Sequence, residues 1–135
     1  MLQPMLALMF WTLCVALYLL TLRILAVRKG AVSIGYFRLY PPDQAAPARA
    51  LAAARHYDNL FQVPLLFYLA CVTSLAMGLN GPVALAWGFV ALRVVHGLIH
   101  MGYNNVMHRF IAFMASNLLL VAIWVVIALQ LGSRA

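Results

Sequence analysis

Two short stretches carry most of the hydrogen-bonding chemistry of this chain. The first is Arg55-His56-Tyr57-Asp58-Asn59-Leu60-Phe61-Gln62-Val63-Pro64. At about 100° per residue, Arg55, Asn59 and Gln62 fall within about 60° of one another, with Asp58 at the edge of that face. A cation, an anion and two amides thus share one stripe of an otherwise apolar helix. The second is Arg93-x2-His96-x3-His100-x3-Asn104, a stripe about 80° wide by the same spacing. Gly97 lies beside it and permits a close approach by a neighbour or a ligand. Arg109 follows a few residues later. Arg55, Arg93 and Arg109 face a single acid, Asp58, so the set suits an anionic or zwitterionic molecule oriented by amides. There is no serine nucleophile with a nearby base, no GxGxxG and no glycine-rich phosphate loop. His96 and His100 have the i, i+4 spacing that can hold zinc, with His56 or His108 and Asp58 as further ligands. Against a metal stand the lack of HExxH, the lack of a carboxylate beside the pair, and the repulsion of nearby arginines. A plainer reading makes both stripes interhelical hydrogen-bond contacts.

These stripes need elements to carry them. Of 135 residues, 67% are hydrophobic and 8% charged, against roughly 25% charged in soluble domains. The fold class is an all-α integral membrane protein, a four-transmembrane-helix bundle occupying residues 1–135 as one domain. Apolar runs place the spans at about 4–27, 50–78, 82–103 and 109–131, each near the roughly 20 residues a bilayer needs. The first run lacks a basic leader and a small-residue cleavage site, so it is expected to be a span, not a signal peptide. Polar groups at membrane depth are costly and face a bundle interior or a wet cavity.

The net charge of +7 is unevenly placed. Arg28, Lys29, Arg38 and Arg49 lie in or beside the first loop, His108 and Arg109 flank the third, and the second, around Asn80-Gly81-Pro82, has none. Loops one and three are expected in the cytoplasm and both termini outside, which puts the polar stripes on the cytoplasmic side. Arg134 is the dissenter. The basic first loop is expected to lie against anionic headgroups; without interleaved aromatics it gives no sign of nucleic-acid binding. Cys14 and Cys71 sit within spans, lack a CxxC partner, and read as small hydrophobes.

Finer expectations follow from local chemistry. Arg23 snorkels from the end of span one. Gly30, Gly35 and Pro41-Pro42 break residues 28–48, Tyr36–Tyr40 is amphipathic, and Asp43 is a candidate cap for the next helix with Pro47 in its first turns. A helix from Ala45 to Met77 would be about 50 Å long, so it must tilt or project. Pro64 predicts a kink by freeing the carbonyl of Leu60. Arg93 lies deep in span three; by elimination Asp58 is the expected protein partner of Arg93 or Arg55, with a bound anion as the alternative. Ser116 and Asn117 read as helix–helix contacts.

The pattern Arg55-x3-Asn59-x2-Gln62-x-Pro64, followed by Leu-Leu-Phe-Tyr, resembles the signature of the membrane-associated proteins in eicosanoid and glutathione metabolism, the MAPEG family. Arg93-x2-His96-x3-His100 and then Arg109 resemble its third-helix pattern. The wording Asn59-Leu60-Phe61-Gln62-Val63-Pro64 is closest to the small bacterial members, which implies a bacterial inner membrane. The resemblance implies a homotrimer of four-helix subunits, glutathione bound between subunits as co-substrate, and a lipophilic substrate arriving from the bilayer. It assigns Arg55, Asn59, Gln62, Arg93, His96 and His100 to glutathione binding and Arg109 to activation of the thiol. The chain departs from the family where Gln62 replaces a glutamate, where His96 and His100 replace tyrosines, and where Val32 stands near an expected arginine.

The reading is therefore a glutathione-dependent transferase or peroxidase acting on lipophilic electrophiles. Two alternatives stay open: a non-catalytic membrane protein that binds an amphipathic anion, and a histidine-based metal or proton site.

Overall fold

The computed structural model describes residues 1–41 and 45–134. Asp43, the candidate cap, lies outside them. All regular structure among these residues is helical: α1 (Leu2–Arg28), α2 (Tyr36–Leu39), α3 (Ala48–Leu60), α4 (Val63–Ala76), α5 (Val83–Met101) and α6 (Val106–Gly132). Four stretches are long and apolar enough to cross a bilayer: Leu2–Arg28, Ala48–Ala76, Val83–Met101 and Val106–Gly132. The protein is an all-helical integral membrane bundle.

The second of these stretches is broken. The helix stops at Leu60 and restarts at Val63, with Pro64 in the first turn of α4. Proline lacks the N–H that would bond Leu60, and its ring collides with that carbonyl. The break therefore falls one turn ahead of the proline. The amides of Phe61 and Gln62 bond back to Asp58 and Asn59 in tighter three-residue turns, at 3.1 and 3.3 Å. At the other end of the stretch Pro47 stands just ahead of the first helical residue, Ala48, instead of inside the helix. Its backbone is extended there, with ψ at 141°.

Helix α5 occupies the middle, touching α1, α3 and α6. At the end near the second loop the core is apolar: Leu8, Phe67, Ala70, Ala86, Phe89, Leu120 and Ile123 pack together, with the Phe67 and Phe89 rings stacked 4.5 Å apart. At the other end a smaller cluster of Ala26, Val32, Tyr36, Ala46 and Ala50 folds the first loop against α1 and α3. Arg23 reaches α2, where it lies over the Phe37 ring at 5.4 Å and donates to the Tyr40 hydroxyl at 3.4 Å. The basic loop is thus anchored to the bundle. Arg134, the dissenter from the charge pattern, donates to the carbonyls of Met77 and Gly78 at 2.8 and 3.1 Å. Those carbonyls end α4, and a cation is the favoured partner for a helix C-terminus.

Between the two cores lies a polar layer, which close helix packing makes possible. A Cβ built on Gly97 would collide with His56 Nε2 and would stand 2.9 Å from His56 Cε1 and Trp11 Cζ2. Only glycine lets α3 bring an imidazole flush against α5. Glycine to alanine within a helix otherwise gains roughly 1 kcal/mol. Here we expect Gly97→Ala to destabilise by about 1–3 kcal/mol through overpacking, read as a lower thermal midpoint in detergent. A raised midpoint would show that the contact is not rigid.

Candidate functional site

The polar layer is organised by Arg93, whose side chain is fully buried. A guanidinium at this depth must be surrounded by acceptors or aromatic faces. It donates to Asn59 Oδ1 on α3 at 3.1 Å and to Asn117 Oδ1 on α6 at 3.0 Å. Its central carbon lies 5.2 Å from the Phe89 ring centre and 5.0 Å from that of Phe113, within the range of cation–π attraction. Arg93 is therefore partnered by two amides and two rings, not by Asp58, which is exposed. Elimination by charge pointed to the carboxylate, but an amide carbonyl meets a buried cation without requiring a second buried ion. Asn117 is a helix–helix contact as expected. Ser116 is also fully buried, with its hydroxyl donating to Phe113 O of its own helix at 2.7 Å.

Beside this clamp an open hollow of about 250 Å³ is lined by Asn59, His96, His100, Val106, Arg109, Phe110 and Phe113. Four of the residues singled out by spacing and resemblance thus meet in one place: Asn59, His96, His100 and Arg109. Arg93 stands behind them and fixes Asn59. Arg55 and Gln62 are exposed and lie outside the hollow. The break at 61–62 separates Gln62 from the helical face that Arg55 and Asn59 share, so the stripe expected on one unbroken helix ends at Leu60.

Local structure places Arg109. Asn105 caps α6 by accepting from the His108 amide at 3.0 Å. Asn104 adopts a left-handed conformation, with φ at 50°, and its Oδ1 accepts from Arg109 at 2.8 Å. The guanidinium is held at the start of α6, where helix dipole and side-chain charge are both positive.

His56, which the sequence offers only as a further ligand beside His96 and His100, packs directly against both. It is fully buried, and its ring centre lies 5.4 Å from that of His96 and 5.6 Å from that of His100, which are themselves 5.7 Å apart. Trp11 covers it from α1, with ring centres 6.5 Å apart. On the helical wheel His56 stands about 100° from Arg55, off the polar stripe. The signal for it was Gly97, a gap in α5 between the two histidines. His108, by contrast, lies exposed in the first turn of α6 and pairs with the Tyr103 hydroxyl at 2.9 Å. Buried polar atoms without a partner gather in this layer: Trp11 Nε1, both ring nitrogens of His56, Nδ1 of His96 and of His100, and Nε of Arg93. Among the described residues no group of three or more His, Cys, Asp or Glu is arranged to hold a metal ion.

The hollow can therefore offer one placed cation, one amide, two imidazoles and an apolar wall to a ligand. No curated protein and no solved structure matches the chain. The model of the MAPEG family matches residues 1–129, which include every residue of the hollow. The chain belongs to the MAPEG family of membrane proteins.

Proposed function

We propose that this protein is a membrane-bound, glutathione-dependent transferase or peroxidase acting on lipophilic electrophiles. The observation that carries this reading is the convergence of Asn59, His96, His100 and Arg109 on one hollow whose remaining wall is Val106, Phe110 and Phe113. Membership of a family that includes glutathione transferases and peroxidases supports it. In this reading Arg109 faces the sulfur and Asn59, held by Arg93, hydrogen-bonds the peptide part of glutathione. The aromatic wall receives the apolar co-substrate from the bilayer.

The chemistry required of Arg109 is modest. A thiol with an ordinary pKa of about 8.5 is mostly protonated near neutrality. A guanidinium about 4 Å away, at an effective dielectric of about 20, favours the thiolate by up to about 4 kcal/mol. Desolvation takes some of this back, and the remainder yields a usable nucleophile.

Arg55 and Gln62, exposed on a single chain, are assigned to the part of glutathione that extends beyond the hollow towards a neighbouring subunit. The functional unit is then a homotrimer, with its site on the cytoplasmic side of a bacterial inner membrane. Gln62 retains hydrogen bonding where a glutamate is usual, and His96 and His100 take the wall positions of tyrosines.

The roles of the two hollow residues separate experimentally. Glutathione binding is measured by calorimetry and thiolate by its ultraviolet absorbance. We expect Arg109→Ala to lower the bound thiolate at least about tenfold while affinity changes by only about threefold. Loss of the Asn59 hydrogen bond in Asn59→Ala should lower affinity by about tenfold first. Equal loss of both quantities in both variants would contradict these roles, and no binding at millimolar glutathione would reject the function. For assembly, sedimentation in detergent should give the mass of three chains; a monomer that binds glutathione with full affinity would overturn the shared site.

A further inference from the structure

A thiol that ionises within a membrane-embedded hollow must hand its proton to something. This question rests on the reading of the hollow as a thiol site. Arginine side chains are always protonated, amides are not basic, and hydrocarbon side chains have no lone pair. Among the lining residues only His96 and His100 can accept a proton. We propose that these two histidines are the proton acceptors for the bound thiol, with His56 as the positioning residue behind them.

The geometry supports this from three sides. Both imidazoles line the same hollow as Arg109, so a sulfur facing the guanidinium lies beside them. Both are more than nine-tenths buried, at 3% and 7% exposure, and each has Nδ1 without a partner. His56 touches both rings, is fully buried, and has neither nitrogen bonded. Imidazole is the side chain suited to taking and returning a proton near neutral pH. In the step, the S–H bond breaks and its electron pair stays on sulfur. The proton bonds to a ring nitrogen of His96 or His100. The same nitrogen, the one that faces the hollow, then passes the proton to water at its mouth, because Nδ1 of each ring is buried without a partner. The charged groups nearest the trio are Arg93 on α5, Arg109 on α6 and Arg55 on α3, while α1 presents the neutral Trp11.

The test follows thiolate appearance by stopped flow after glutathione is mixed with parent, His96→Gln, His100→Gln and the double variant. Glutamine keeps hydrogen bonding and similar volume but has no basic lone pair. Affinity is measured in parallel with glutathione alkylated on sulfur, which has no thiol proton to lose. General-base catalysis contributes roughly 10²–10⁴-fold, so the rate in the double variant should fall at least about tenfold while affinity for the alkylated probe moves less than about threefold. Should the double variant fail to fold, His100→Gln alone carries the comparison, and added imidazole should restore the rate in His100→Ala. Parent-like rates, or rate and affinity falling in parallel without rescue by imidazole, would overturn the assignment. A parent protein that binds neither glutathione nor the alkylated probe would instead overturn the glutathione reading, and this step with it.

Discussion

The structure depends on a buried guanidinium whose partners among the described residues are amides and aromatic faces, not a carboxylate. Arg93 is fully enclosed, and stripping water from a cation costs several kcal/mol. The cost is offset by two amide oxygens contributed by α3 and α6 and by the faces of Phe89 and Phe113. One side chain on the central helix thereby fixes the positions of two neighbouring helices. Interhelical hydrogen bonds in membranes are individually modest, about 0.6–2 kcal/mol. Their value here is positional: they decide which way Asn59 faces, and so the shape of the hollow beside it.

Around this clamp the bundle is layered along its length. An apolar core closes one end and a small anchored loop cluster caps the other; the polar layer sits between them. The interruption at 61–62 is part of this arrangement. It ends α3 just after Asn59 and Leu60, and lets α4 leave on a different course to join the apolar core through Phe67, Ala70 and Cys71. The capped start of α6 brings Arg109 to the same level. A hollow with a cation at its mouth and imidazoles in its wall is the product of these local choices acting together.

Much of this was legible in the residues themselves. Four apolar runs, with prolines and glycines between them, are enough to draw the helices, because a bilayer fixes length and polarity so tightly. The stripe Arg93, His96, His100 was legible for a related reason: on a regular helix, spacing is direction. The second stripe was only half legible. Its arithmetic assumed an unbroken helix, and Pro64 invalidated that beyond Leu60, which leaves Gln62 outside. The partner of Arg93 was misread because charge counting ignores neutral acceptors; Asn117, thirteen residues after Asn104, carries no mark that connects it to Arg93 until the helices are packed. His56 was legible only as a possible further metal ligand to His96 and His100, because it belongs to no stripe on its own helix. Its place is defined by the absence of a side chain at Gly97, a tertiary fact.

The central claim is that the Arg93 clamp shapes a site for an anionic thiol, beyond holding helices together. The most direct measurement is glutathione affinity in Arg93→Met/Asn117→Leu, which removes the buried cation and one acceptor together and keeps apolar volume, a replacement that is often tolerated. The account predicts a folded protein whose affinity falls at least about tenfold, since Asn59 loses the bond that orients it. A folded variant that binds glutathione as tightly as the parent would contradict it.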